Sequence, residues 1–356
     1  MQFQWWCAAQ TAAWEWTWRP YPGVWIFIAA LAFGYWALLR RAKRLTGETV
    51  GGARVASAVA GLLTLWLALD WPIGALGAGY LASVHMVQFL LIGMIAPPLL
   101  LWGLPPAGLR VWLDGGASDS PGTSSPIGAG LPGDAVGYPG GVGFPGDTVA
   151  ATAGVTASPG AAGATASQGA AARGATTPRA PRLLRLARVL RVVTHPLVAL
   201  FVFNAIVGAT HTPAVNDTLM VTQLGSFAID IAWLVGGLIF WWPVAAAAPA
   251  RPNFHPLLKI GYLTALAIAM TPVFLYLTFS DHPVYAVYEL APRVNGIDAH
   301  ADQRVAGLIM KVVGGFILMG VLSVLFFRWA TRAGDDMTAL QTAKAGAAET
   351  AEPVMR

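Results

Sequence analysis

The sequence predicts an all-α, polytopic membrane protein, a helix bundle with seven transmembrane helices, an outer N-terminus and a cytoplasmic C-terminus. Three observations predict this class. The 356 residues are 56% hydrophobic and only 11% charged, whereas a soluble domain has about 25% charged residues. Seven apolar segments are long enough to cross a bilayer. Most Lys and Arg residues fall on one side of these segments.

Each apolar segment should form a helix, because lipid offers no hydrogen-bond partner to an open backbone. The predicted spans are residues 23–40, 53–70, 80–103, 195–212, 218–243, 256–280 and 305–328. Pro272 lies inside the sixth span and predicts either a kink or an adjustment of packing there.

The orientation follows from the basic residues. With the N-terminus outside, eighteen of the 22 Lys and Arg residues fall on the cytoplasmic side. The outer side receives only Arg19, Arg293 and Arg304, and Lys311 falls inside the seventh span. Positive charge is retained on the cytoplasmic side of membrane proteins, which favours the N-out, C-in arrangement.

The first half of the chain divides into three segments. Residues 1–22 form an outer tail rich in Trp, which is typical of an aromatic anchor at the membrane interface. Residues 23–113 contain transmembrane helices one to three. Residues 114–180 are rich in Gly, Ala and Pro and cannot bury enough apolar surface to fold, which predicts a disordered cytoplasmic insert.

The second half begins with a basic segment. Residues 181–194 place Arg at helical spacing and predict an interfacial helix on anionic lipid headgroups; a helix that binds a partner protein is the alternative. Residues 195–332 contain transmembrane helices four to seven. Residues 333–356 are predicted to be a disordered C-terminal tail.

Several classes of protein are excluded by what the chain lacks. The single cysteine, Cys7, permits no intramolecular disulfide and no CxxC metal or redox motif. The net charge of +5 does not cluster on a soluble domain, so no nucleic-acid partner is expected. No removable signal peptide is recognised. No soluble-enzyme motif is present, since the chain has no dinucleotide-binding, P-loop or nucleophile-elbow pattern.

Polar residues gather at the predicted outer ends of the spans. Four of the six histidines fall there, namely His85, His211, His282 and His300. His85 and His211, with Met86 and an acidic neighbour, are suitable copper ligands, because imidazole suits copper and a thioether favours Cu(I). Interfacial histidines that are merely hydrogen-bonded are the alternative. A di-haem bundle is disfavoured, since no span carries a second histidine at a matching depth.

Four sequence motifs carry a resemblance to a known family. They are LDWPIGALGAGYLASVHMVQFLLIGMIAPPLLLWGLP at 69–105, ATHTPAVND at 209–217, GGLIFWWPV at 236–244 and DQRVAGLIM at 302–310. These resemble, in the same order, the signatures of the CtaG-type cytochrome c oxidase assembly factors associated with caa(3)-type oxidases. The resemblance covers nearly all of the chain except residues 114–180 and the tail from about 333.

The resemblance implies a multi-pass protein of the bacterial cytoplasmic (inner) membrane. Its expected role is to help mature a haem-copper oxidase of the respiratory chain, at its copper centres, with oxidase subunits and membrane lipids as partners. This role is one of assembly rather than catalysis, so the resemblance implies that the protein is not an enzyme. It implies copper as the cofactor, with His85, His211 and Met86 as ligands. The supporting positions carried over from the motifs are Asp70, Gln88, Asp217, Asp302 and Gln303.

Two residues depart from the family pattern. Phe89 stands where the family has the second histidine of its HMxQH motif, so the chelating i, i+4 pair is lost. Asp230 stands in the fifth span where the family tends to carry a histidine, and Lys311 stands where the family tends to have Trp. These two unusual charges suggest an intramembrane ion pair; a neutral, hydrogen-bonded Asp230 with Lys311 extended toward water is the alternative.

Three functions remain open from the sequence. A copper-handling assembly factor predicts that His85 and His211 meet at one outer pocket. A scaffold or chaperone that docks oxidase subunits without a metal is favoured by Phe89 and Asp230. A small transporter is least favoured, because the cytoplasmic half of the spans has few polar residues beyond Thr64 and Asn204.

Overall fold

The computed structural model describes residues 3–47, 49–105, 189, 192–245 and 255–351. All of these belong to one unit, which comprises residues 1–116 and 182–356; the second unit, residues 117–181, lies outside the described part. The predicted insert at 114–180 and most of the predicted basic helix at 181–194 therefore lie outside the described residues.

The described chain is all-α, as predicted, with no strand. Its helices are α1 (Pro22–Thr46), α2 (Gly52–Leu69), α3 (Ile73–Gly79), α4 (Ala82–Phe89), α5 (Ala96–Gly103), α6 (Pro196–Thr210), α7 (Pro213–Met220), α8 (Gln223–Trp241), α9 (Pro256–Ala269), α10 (Thr271–Phe279), α11 (Ala286–Glu289), α12 (Ala299–Leu308) and α13 (Gly314–Ala351). Two π-helical turns, Leu90–Ile95 and Ile309–Val313, join α4 to α5 and α12 to α13.

Six of the described helical segments are long and apolar enough to cross a membrane. The predicted seventh span is obtained only if α6 and α7, which meet at an angle of 69°, count as one broken span. The N-out, C-in orientation stays a prediction. We call the end of the bundle where α1 begins and α2 ends the N-terminal end.

Local sequence explains where the helices begin and end. Proline occupies the first turn of α1, α6 and α9, where its missing N–H costs no hydrogen bond. Gly47 ends α1 in the left-handed conformation, with φ of 70°, and its N–H binds the Lys43 carbonyl. In the third span, the π-helical turn ends two residues before Pro97, and Pro97 and Pro98 supply no N–H to a regular helical ladder.

The third span lies at the centre of the bundle and α1 lies at its edge. Within the most apolar stretch of each helical segment, 61% of the residues of the third span are buried, compared with 6% of the residues of α1. The half formed by α4 packs on α3 and α12, and the half formed by α5 packs on α2 and α8. Any side chain of α4 that faces inward is therefore enclosed by several helices.

The last helix corrects one prediction. Helix α13 runs to Ala351, so residues 333–351 are helical where a disordered tail was expected. These residues include many Ala and no Pro, and Ala has the highest helix propensity.

The N-terminal tail corrects another prediction. Residues Trp6, Cys7 and Ala8 are almost fully buried in the bundle, rather than lying on its outer surface. Farther along the tail, Trp16 and Trp18 are more than half exposed, and their place at a membrane interface stays a prediction. The composition of the tail indicated an interface, but the buried partner of Trp6 lies far away in sequence.

Gly237 allows α8 to approach the third span closely. A β-carbon at this position would lie 2.4 Å from the carbonyl oxygen of Gly93 and 2.7 Å from Cγ of Pro97. Gly93 belongs to the π-helical turn, so its backbone cannot shift without disturbing the third span.

Replacing Gly237 with Ala should therefore lower the free energy of unfolding by about 1–3 kcal/mol, the usual cost of overpacking. Thermal or denaturant unfolding of the purified protein in detergent measures this. Gly34→Ala in α1 is the matched control, because a β-carbon at Gly34 would have no neighbouring atom within 4 Å. Equal stability of the two variants would contradict the close approach.

Candidate functional site

Two buried imidazoles meet around one indole near the N-terminal end of the bundle. His85 lies in α4 and is 1% exposed, and His211 follows the last residue of α6 and is 3% exposed. Their ring centroids lie 4.8 Å and 6.0 Å from the ring of Trp233 in α8. We call His85, His211 and Trp233 the imidazole pocket.

Each imidazole has one nitrogen that is held and one that has no partner. His211 Nδ1 lies 2.7 Å from the Val207 carbonyl oxygen, and His85 Nε2 lies 3.4 Å from Nδ2 of the buried Asn216. His85 Nδ1 and His211 Nε2 are buried without a hydrogen-bond partner among the described residues. Buried polar atoms normally have partners, so these two nitrogens mark the pocket as a candidate ligand site.

An apolar side chain completes the pocket. The ring of Phe89 lies 5.3 Å from that of His211 and 5.2 Å from that of Trp233, nearly perpendicular to both. Phe89 and Met86 are completely buried in the main hydrophobic core. Phe89 therefore fills space beside His211 where a second histidine would give a third imidazole.

Asp230 is held by two neutral donors. Trp6 Nε1 donates a hydrogen bond of 2.8 Å to Oδ2, and Gln88 Nε2 donates one of 3.2 Å to Oδ1. Gln88 lies in α4, one turn after His85, so Asp230 is adjacent to the imidazole pocket. The N-terminal tail, α4 and α8 are joined at this carboxylate.

The predicted ion pair between Asp230 and Lys311 was wrong. The described residues contain one salt bridge, between Arg19 and Glu15. Lys311 Nζ instead donates to the Ala267 carbonyl at 3.1 Å and to Thr271 Oγ1 at 2.8 Å. The reason is the break between α9 and α10 at Met270, where Pro272 interrupts the helix and leaves acceptors that a lysine can satisfy.

Asp217 and Asp302, two residues predicted to support the metal, hold the backbone of neighbouring segments. Asp217 accepts hydrogen bonds of 3.1 Å from the N–H groups of Ala286 and Val287 at the start of α11. Asp302 in α12 accepts from the backbone N–H and the hydroxyl of Ser83 in α4. Each carboxylate therefore fixes one loop or helix around the pocket.

Gln303 and Asp70 also lie away from the imidazoles. Gln303 Oε1 accepts from the Val284 N–H at 2.5 Å, and its Nε2 donates to the Leu277 carbonyl at 3.2 Å. Asp70 is buried where α2 ends, and its carbonyl accepts from the Gly74 N–H at 2.7 Å. Both residues tie together segments at the N-terminal end of the bundle.

Sequence reasoning missed several residues of the pocket. Asn216 lies inside the ATHTPAVND motif beside Asp217, and Trp233 follows Asp230 at helical spacing; these spacings were the available signals. Tyr285 donates from its hydroxyl to the His211 carbonyl at 2.9 Å, and the Tyr288 hydroxyl donates to the Gly77 carbonyl at 2.8 Å. No local pattern places these two tyrosines, which lie just before and within α11, beside the pocket.

A comparison with known protein families shows which family this chain belongs to. Residues 33–119 and 148–332 match the model of the cytochrome c oxidase caa3 assembly factor family, Caa3_CtaG. The chain belongs to this family. No curated protein and no solved structure matches the chain. The matched part includes all of the α4, α6, α7, α8 and α12 residues described above, and the unmatched residues 120–147 fall inside the predicted insert.

Membership of the Caa3_CtaG family agrees with the resemblance drawn from the four motifs, and with a membrane protein whose role is assembly. The family name concerns cytochrome c oxidase and suggests a role that is not catalytic. It does not name a metal, so the chemistry of the imidazole pocket has to be argued from its own residues.

The absence of an ion pair can be tested by a double-mutant cycle. The Asp230→Asn and Lys311→Met changes should add within about 0.5 kcal/mol in the free energy of unfolding, because the two side chains share no partner. Unfolding of both single variants and the double variant in detergent measures the coupling. A coupling energy above about 1 kcal/mol would contradict the separate pairing described here.

The loop before the seventh span gives a pH-dependent prediction. Asp298 Oδ2 accepts hydrogen bonds of 3.0 Å from the N–H groups of Ala301 and His300, which caps α12. These bonds lower the pKa of the Asp298 carboxyl below its ordinary value. A lowered pKa stabilises the fold at neutral pH, and this contribution is lost as the pH falls below about 4.

Asp298→Asn should therefore show a weaker loss of stability between pH 6 and pH 3 than the unchanged protein, since Asn caps helices equally well but does not titrate there. The melting temperature of both proteins across this range measures the difference. Parallel curves for the two proteins would show that the cap does not titrate.

Proposed function

We propose that this member of the Caa3_CtaG family binds Cu(I) between His85 and His211 and assists copper-centre maturation of a haem-copper cytochrome c oxidase. The metal is treated as cargo, received and passed on, and the protein is not an enzyme. The site would face the outer side of a bacterial cytoplasmic membrane, and oxidase subunits would be the partners.

The two partnerless imidazole nitrogens carry this proposal. Cu(I) accepts two neutral imidazoles as ligands, and imidazole suits copper among the protein side chains. The held nitrogen of His211 follows the usual arrangement of metal-binding histidines, in which the second ring N–H donates to a carbonyl, a carboxylate or water. His211 Nδ1–H donating to the Val207 carbonyl leaves the lone pair on Nε2 for a metal.

Asn216 decides whether His85 can act in the same way. If its Nδ2 donates to His85 Nε2, the proton of the neutral ring lies on Nδ1, which cannot then bind a metal. If the Asn216 amide turns over, Oδ1 accepts from Nε2–H and Nδ1 becomes a ligand. Asn216 Oδ1 has no hydrogen-bond partner among the described residues. Turning the amide over would therefore break no hydrogen bond that this oxygen accepts.

The outer location is supported by the distribution of charge. His85 and His211 lie at the N-terminal end of the bundle, and the basic residues of the described part concentrate at the opposite end, as Arg40, Arg41, Lys43, Arg44 and Arg328 illustrate. Since Lys and Arg mark the cytoplasmic side, the pocket would face outward. The anionic headgroups of that cytoplasmic leaflet would contact the basic end.

A second candidate function, a scaffold that docks oxidase subunits without a metal, is favoured by the surroundings of His211. Phe89 packs on this ring, and the described residues contain no group of three His, Cys, Asp or Glu arranged to hold a metal ion. Under this alternative the two imidazoles would contribute only to packing around Trp233.

Replacing both His85 and His211 with Ala should abolish Cu(I) retention by the purified protein and lower oxidase activity in cells that depend on it. Metal analysis after anaerobic loading, together with a chelator competition, measures the retention. His282→Ala is the matched control, because His282 is exposed and lies outside the pocket. Copper retention by the double variant would reject the metal role and favour the scaffold.

Phe89→His gives a test in the opposite direction. This change restores an i, i+4 histidine pair with His85 and places a third imidazole beside His211. Cu(I) affinity should rise at least tenfold, which the same chelator competition measures. An affinity that is unchanged in a folded Phe89→His variant would count against a metal at this pocket.

A further inference from the structure

The N-terminal tail is the part of the molecule that the proposed function leaves unexplained. Residues 3–10, which we call the tail segment, have no helical structure, yet Trp6 and Cys7 are each 1% exposed. The tail segment lies between α1 and α8, with the Trp6 ring 4.9 Å from that of Phe227 and 6.0 Å from that of Phe27. An extended chain that fills the interior of a bundle can leave without unfolding any helix.

Few backbone bonds hold the tail segment in place. Gln223 Oε1 accepts from the N–H groups of Trp5 and Trp6 at 2.8 and 3.3 Å. The Ala9 N–H donates to the Met220 carbonyl, and the Trp5 carbonyl accepts from the Gly23 N–H, both at 2.9 Å. A helix is held by a continuous ladder of such bonds, and the tail segment lacks one, so it can open without the loss of a helix.

The buried end of the tail segment reaches the residues beside the imidazoles. Trp6 Nε1 binds Asp230 Oδ2, and Gln88 Nε2 binds the other oxygen of the same carboxylate. Gln88 and His85 lie three residues apart in α4, on the same face of that helix. A movement of Trp6 therefore acts, through one carboxylate, on the helix that carries an imidazole.

The imidazoles themselves are closed to solvent. With His85 1% and His211 3% exposed, a metal ion cannot reach them unless some element moves. His85 and Trp233 lie within the helices α4 and α8 and His211 lies at the end of α6, whereas the tail segment has no helical ladder and its Trp6 is bonded to Asp230. Withdrawal of Trp6 would leave the Asp230 carboxylate unpaired on one side and able to attract a cation.

We infer that the tail segment is a removable plug of the imidazole pocket, held by the bond from Trp6 to Asp230, and that its withdrawal admits and releases the metal. This inference deepens and rests on the proposed copper role. It assigns to the tail segment the control of access, and to Asp230 the role of the first anionic contact for an entering cation.

The single cysteine of the chain reports on the plug without any engineering. Cys7 adjoins Trp6 and is buried, with Sγ 3.3 Å from the Leu69 carbonyl oxygen. A maleimide can modify Cys7 only after the tail segment withdraws. The rate of alkylation of the full-length protein in lipid nanodiscs therefore measures withdrawal directly, whether or not copper binds.

Trp6→Phe removes the bond to Asp230 and keeps an aromatic ring against Phe27 and Phe227. It should speed alkylation of Cys7 about 10- to 100-fold, the factor expected for loss of one hydrogen bond to a carboxylate. Transfer of Cu(I) between the protein and a chelator should speed up by a similar factor. Trp18→Phe is the matched control, since Trp18 is 56% exposed, and should change neither rate.

A second variant keeps the test informative if Trp6→Phe does not fold. Gln223→Met removes the acceptor of the Trp5 and Trp6 N–H groups without touching the imidazole pocket, and it should also speed both processes. Gel filtration and thermal unfolding establish that each variant is folded.

The outcomes separate the two proposals. Alkylation at the unchanged rate in folded Trp6→Phe and Gln223→Met proteins would overturn the plug. Faster alkylation with unchanged copper transfer would overturn its control of access. If the unchanged protein binds no Cu(I) at all, the proposed copper role falls, and the plug is then judged by the alkylation rates alone.

Discussion

The carboxylate of Asp230 imposes the constraint on which much of the structure depends. A buried carboxylate in a membrane bundle is costly unless its oxygens are hydrogen-bonded. The bundle meets this requirement with the indole of Trp6 and the amide of Gln88, one on each oxygen. As a result the tail is drawn inward, α4 and α8 are held in register, and the neighbouring His85 is fixed in its place against Trp233.

The choice of neutral donors has a further effect. A lysine partner would form a buried ion pair, whose desolvation offsets much of the attraction between the charges. Trp and Gln donors satisfy the oxygens without bringing a second charge into the bundle. Lys311 is meanwhile engaged by the carbonyl and hydroxyl groups at the break between α9 and α10. The two unusual charges of the spans are thus stabilised separately, each by polar groups close at hand.

Much of the architecture could be predicted from the sequence, because hydropathy determines which segments suit a bilayer. The all-α class, the apolar segments and the family motifs were recognised in this way. The convergence of His85 and His211 on one side of the bundle could be expected from their depth in the spans. The bend between α6 and α7 and the extent of α13 could not, since apolar composition alone does not reveal where a helix breaks or continues.

The details of the site were beyond the sequence for a different reason. The partner of Trp6 is 224 residues away, and Lys311 bonds to a backbone carbonyl, which every residue possesses. Such partners depend on how helices pack, and neither spacing nor residue type identifies them. The residues Asp217, Asp302 and Gln303 illustrate the same limit: their motifs drew attention to them, but their bonds to backbone groups of distant segments become visible only in three dimensions.

The length of α13 has a mechanical consequence. Its 38 residues extend about 57 Å at the usual helical rise, roughly twice the hydrocarbon thickness of a bilayer. An isolated Ala-rich helix of this kind is marginal in water, because forming its first turn is unfavourable. Here that turn is supplied by the lipid-embedded half, so the remainder propagates from an existing template as a rod. Anything attached at its far end would be carried well away from the membrane surface.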